Sequence, residues 1–124
     1  MFVDSHCHVD FPALVAQMPD ILQRMKTNQV SKALCVSVNM PDWPQLIALV
    51  EQHEELWASV GVHPDYEDTV EPTVEELVER SHHPKVIAIG ETGLDYFRLE
   101  GDLSWQRERF RRHIRAAKLS GLPL

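Results

Sequence analysis

KALCVSV (residues 32–38) and KVIAIG (residues 85–90) carry apolar side chains at nearly consecutive positions. A strand with one wet face alternates apolar and polar residues. A run without that alternation suits a strand covered on both faces, as in a parallel sheet. Residues 1–5 and 56–62 are also short, apolar and β-branched, and they read as two further strands. Between them the pattern becomes helical. Leu22, Met25 and Lys26 follow Asp20, the expected N-cap; Leu46, Ile47, Leu49 and Val50 follow Asp42, with Gln45 three residues on; Leu77 and Val78 follow a Thr73 to Glu76 capping box. A last helix is predicted over about residues 103–120 with Phe110, Ile114 and Ala117 on one face, and Gly121 ends it. Leu122, Pro123 and Leu124 read as the start of a fifth strand.

Strand and helix thus alternate four times, which predicts a parallel α/β fold with right-handed crossovers. The connections sharpen this. Helix-to-strand links are short (around 29–31, 54–55 and 82–84), whereas strand-to-helix links are long, above all 63–72 and 91–102. Elaboration on the strand C-terminal side alone is the habit of a (β/α)8 barrel, whose active site is built from those loops. Gly90, Gly93 and Gly101 are too dispersed for a dinucleotide fingerprint.

Composition narrows the function classes. With 44% hydrophobic and 25% charged residues, the chain reads as an ordinary globular domain rather than a disordered or disulfide-built one. Twelve Lys and Arg against nineteen Asp and Glu give a net charge of −7, so contact with a polyanion must be local or mediated by metal. Cys7 and Cys35 are the two cysteines; Asp4, His6, His8 and Asp10 interrupt any apolar leader, and no run approaches the roughly 18 apolar residues of a membrane span. A reduced, cytoplasmic setting without membrane contact is expected.

The chemistry concentrates at strand ends. In FVDSHCHVD (residues 2–10), His6 and His8 lie two apart, so both imidazoles face one side of the strand, with Asp4, and Cys7 faces the other as a packed residue. A bare H-x-H is usually two unconnected histidines; placement after a buried strand favours a metal pair. Glu91 ends strand 4 at the same edge, where a carboxylate binds one metal or bridges two. Asp95 either orients a ligand or substrate or forms a turn. His63, in GVHP after strand 3, is either a substrate hydrogen-bond donor, a group supporting the ligands, or a satisfied structural histidine. Asp65, Glu67, Asp68 and Glu71 read as a solvated acidic face. The basic residues of the last helix (Arg107, Arg109, Arg111, Arg112, Arg115, Lys118) read as the solvent side of an outer helix, Arg107 excepted because it nears the rim. His53, His82, His83 and His113 are assigned to the opposite edge, with no chemistry.

FVDSHCHVD, GVHP and GETGLDY, in that order and spacing, resemble the TatD family of metal-dependent deoxyribonucleases, and WQRERFRRHIRAAKLSGLPL is similar to that family's helix leading into strand 5. The resemblance covers the whole chain. It implies metal binding by His6, His8 and Glu91, a catalytic role for Glu91 and His63, and a substrate site including His63 and Asp95. It further implies hydrolysis of DNA phosphodiester bonds from the 3′ end with one or two Mg²⁺, Mn²⁺ or Zn²⁺ ions. Family members are full barrels of about 250 residues, so residues 1–124 are expected to be the N-terminal half of one such domain. The family's later ligands have no positions here. An isolated half leaves strand edges open to self-association, and no stable protein partner is otherwise implied. Other expectations are a barrel hydrolase acting on a small ester or amide, or a chain inactive alone.

Overall fold

The computed structural model describes all 124 residues. Four strands, β1 (Phe2–Cys7), β2 (Val30–Cys35), β3 (Leu56–Val60) and β4 (Val86–Ile89), form one parallel sheet in the order β1-β2-β3-β4. Helices follow each strand: α1 (Pro12–Val15) and α2 (Met18–Thr27), α3 (Trp43–Glu51), α4 (Val74–Ser81) and α5 (Ser104–Ser120). These are the first four βα units of a (β/α)8 barrel, with the strands one to three residues shorter or shifted against the sequence expectation.

The core lies between the sheet and the helices. Cys35, Val50, Leu56, Ala58, Val60 and Leu77 are fully buried there. Burying them is the main stabilising term, roughly 1.5–3 kcal/mol for each large aliphatic side chain. The opposite sheet face, the barrel interior, is open: Leu34, Val36, Ala88, Phe110 and Leu124 line a cavity of about 460 Å³ that reaches His6 and Glu91. β1 is an exposed edge whose residues Phe2 and Val3 keep about two thirds of their surface in water. No helix is long and apolar enough to cross a membrane.

Several local expectations change. Asp20 is not an N-cap; α2 starts at Met18 with Gln17 at the cap, because Pro19 fits the first turn, and the short α1 precedes it. Asp42 does occupy the α3 N-cap, but its carboxylate accepts from Asn39 Nδ2 (2.7 Å) and makes no cap bond. The Thr73 and Glu76 capping box forms as expected. Residues 122–124 are not a regular strand, yet the Ile89 N–H donates to the Pro123 carbonyl (2.9 Å), a single ladder bond beside β4.

α5 differs most. Its fully buried stripe is Gln106, Arg109, His113 and Ala116, and Phe110, Ile114 and Ala117 flank it half-buried. The reason is visible in the partners: α5 packs under loop backbone, whose carbonyls and N–H groups need polar complements once buried. His113 accordingly sits beneath the C-terminal ends of the strands, accepting the Val62 N–H at Nε2 (3.0 Å), not at the opposite edge.

Candidate metal centre

The strand ends converge because their backbones are tied together. Ser37 N–H donates to Ser59 Oγ (2.9 Å), Ser59 Oγ–H to the Gly90 carbonyl (2.6 Å), and Ser37 Oγ–H to the Gly61 carbonyl (2.9 Å). The Glu91 N–H then donates to the Ser37 carbonyl (2.8 Å). Gly61 is needed for this approach, since a Cβ there would stand 2.5 Å from the Gly90 carbonyl carbon. The Glu91 backbone is thereby fixed at the end of β4 by two buried serines.

Around it stand three imidazoles. Glu91 Oε2 lies 3.1 Å from His6 Nε2 and 3.7 Å from His8 Nε2, and Oε1 lies 3.4 Å from His63 Nε2. One ligand atom from each of His6, His8 and Glu91 falls within 4.8 Å of the others. Glu91 Oε2 and His8 Nδ1 are buried with no hydrogen-bond partner. Close approach without hydrogen-bond geometry, at a buried carboxylate oxygen, is the arrangement of donors awaiting a cation. Nitrogen and oxygen donors of this kind suit Zn²⁺ or Mn²⁺, and Mg²⁺ through the carboxylate. His8 is braced by the Phe11 ring stacked 5.0 Å away.

His63 is held from behind. Its Nδ1 lies 2.5 Å from Asp65 Oδ1 and accepts the Asp65 N–H (3.2 Å), so Asp65 holds the ring through both its side chain and its backbone. With Nδ1 turned to Asp65, Nε2 faces Glu91 Oε1. Asp95 is not among the clustered donors: its Oδ1 accepts from the Phe97 N–H (3.0 Å) and closes a turn. Cys7 faces inward as expected, with its thiol 3.9 Å from that of Cys35; that hydrogen bond and burial push the Cys35 thiol up, so it stays protonated. Burial likewise pushes the Asp10 carboxyl up.

Two groups of charges were misread in the sequence. Asp65 and Glu71 do not belong to a free acidic face, although Glu67 and Asp68 do. Glu71 pairs with Arg109, which is 1% exposed and also donates to the carbonyls of His63 (2.8 Å) and Tyr66 (2.6 Å). Arg107 instead pairs with Asp102 (3.5 Å), and Arg111, Arg112 and Arg115 surround Glu108 on the outside. Gln106 and the Ser37–Ser59 pair carry no signal of their roles that the sequence reading used, whereas Asp65 and Arg109 read there as parts of solvated faces. The signal for the α5 residues is polar side chains at i, i+3 and i+7, repeating at core spacing.

A parallel α/β half barrel with histidine and carboxylate donors at its strand C-terminal rim is the architecture on which barrel-class metal-dependent hydrolases are built. The chain belongs to the TatD family: the profile described as TatD related DNase matches residues 3–124. It is 32% identical to the metal-dependent hydrolase YabD of Bacillus subtilis, over 100% of this chain and 49% of that protein. It is likewise 32% identical to the metal-dependent hydrolase TatD of Mycobacterium tuberculosis, over 98% and 49%. The crystal structure of the Escherichia coli TatD homolog YjjV superposes with a TM-score of 0.85 at 31% identity, covering 98% of this chain and 48% of that one. The chain thus spans about half the length of the curated relatives it matches.

Proposed function

We propose that this chain is the N-terminal half of a barrel phosphodiesterase that acts on DNA, releasing nucleotides from the 3′ end, in the cytoplasm. The observation that carries the reading is one carboxylate, Glu91, with three histidine Nε2 atoms facing its two oxygens. The family description, TatD related DNase, supports DNA as the substrate.

His6, His8 and Glu91 would hold the first divalent cation, and the second oxygen of Glu91 would serve a second one. When bound, such a cation lowers the pKa of its water toward neutrality and offsets charge on the phosphoryl oxygens. His63, with Nδ1 fixed by Asp65, presents Nε2 for a proton or hydrogen bond at a substrate oxygen. Asp95 contributes to the substrate site through its turn. An acidic protein of net charge −7 then binds a polyanion through cations, not through its surface.

The test is a 5′-labelled single-stranded oligonucleotide incubated with the full chain and Mg²⁺, Mn²⁺ or Zn²⁺, alongside a small phosphodiester, an ester, a lactone and an amide. Stepwise shortening from the 3′ end, stopped by chelator and restored by metal, is expected. An untouched oligonucleotide with turnover of the ester or amide would transfer the chain to another barrel hydrolase specificity.

A further inference from the structure

Gln106 is fully buried in the first turn of α5, 42 residues beyond Pro64 in one loop it touches and 11 beyond Asp95 in the other. Its Nε2 donates to the Pro64 carbonyl (3.0 Å) and to the Asp95 carbonyl (2.7 Å), and its Oε1 accepts the Asp95 N–H (3.1 Å). Both amide hydrogens and the carbonyl are therefore engaged, and all three bonds go to the main chain of two rim loops. One loop carries His63, directly before Pro64. The other carries Asp95, held at both its N–H and its carbonyl.

Farther along the same helix face, Arg109 and His113 also bind the first loop, at the carbonyls of His63 and Tyr66 and at the Val62 N–H. Neither of them makes a hydrogen bond to the Asp95 loop. Gln106 is the side chain that joins the two loops. We propose that Gln106 is a positioning residue of the hydrolytic site: it locks the His63 loop to the Asp95 loop, so that turnover depends on it and metal binding does not. The proposal rests on the hydrolase reading for its kinetic arm only.

A buried glutamine that served stability alone would show a different pattern. The test compares the full chain with Gln106→Met, which keeps the volume and removes all three bonds. Ring proton–nitrogen correlation spectra should show the His63 resonances displaced while those of His6 and His8 stay in place, and the metal-titration midpoint should stay within about twofold. kcat should fall roughly a hundredfold, the cost of a misplacement near 1 Å. In a His63→Ala background, by contrast, the same change should alter kcat less than about threefold, since the group being positioned is gone. Equal displacement of all three histidines, or an identical kcat loss in both backgrounds, would overturn the proposal. Gln106→Asn, one methylene shorter with its amide intact, carries the same readouts if Gln106→Met does not fold. Should the native chain hydrolyse no phosphodiester, the functional reading fails, and the ring spectra alone still decide whether Gln106 positions His63.

Discussion

Replacing Arg109 by Met is expected to be among the most costly single changes in the chain. The guanidinium donates from Nη1 to the His63 carbonyl (2.8 Å), from Nη2 to the Tyr66 carbonyl (2.6 Å) and from Nε to both Glu71 oxygens (3.0 and 3.1 Å), with the Trp105 ring 4.8 Å away. Met fills similar space and removes every donor. The Tyr66 carbonyl loses its charged donor, the His63 carbonyl keeps only the Tyr66 N–H (3.3 Å) and Glu71 keeps only Arg112 (3.9 Å), and each lost bond from a charged donor to a carbonyl costs about 1.5–3 kcal/mol. Glu71 keeps 33% of its side-chain surface in water, so it recovers solvation that a sealed ion would forfeit. The sum is about 3–4 kcal/mol, against a total stability of about 5–15 kcal/mol for a domain. In urea, where m is about 1–3 kcal/mol/M for small proteins, the unfolding midpoint should fall by about 2 M. Arg109→Lys keeps the charge without the planar fork and should show most of that loss. A midpoint displaced by less than about 0.5 M in Arg109→Met would refute the assignment of Arg109 as the post under the His63 loop.

Further outcomes are expected. Burial holds His113 below its ordinary value, so the unfolded chain binds a proton that the folded protein resists; stability is full above about pH 6.5 and falls as the pH drops toward the lowered folded value. The urea midpoint of His113→Asn should lose part of that acid slope, and an unchanged slope between about pH 6.5 and 5 would count against it. Gly61→Ala puts a Cβ 2.5 Å from the Gly90 carbonyl carbon and should weaken metal binding at least about tenfold, near 1.4 kcal/mol, by displacing Glu91; equal affinity in a calorimetric titration contradicts this. Phe2 and Val3 leave the β1 edge apolar and open. Sedimentation of the 124-residue form should therefore depend on concentration, and Phe2→Lys with Val3→Glu should abolish that dependence.

The sheet was legible because buried parallel strands leave an unbroken apolar run, as in residues 32–38 and 85–90, and because the capping box at Thr73 is a local code. His6, His8 and Glu91 were legible for the same local reason: position at a strand end implies position on one rim. What escaped depends on contacts between distant segments. Arg109 reads as a surface cation until Glu71, 38 residues earlier, is seen beside it. Asp65 reads as solvated charge until its contact with His63 holds the ring in place. The stripe Phe110, Ile114 and Ala117 followed hydrophobicity, whereas the buried face of α5 answers to polar backbone in the loops above it.

His6, His8 and Glu91 are expected to act as one cation site. Equilibrium titration of the metal-free chain with Mn²⁺ and with Zn²⁺ measures it without assuming a substrate. Saturable binding is predicted for the native chain. Glu91→Gln should weaken it at least roughly tenfold, as loss of a ligand must exceed the smallest losses seen for outer groups, and His6→Ala with His8→Ala should abolish it. Native-like affinity in either variant would contradict the account.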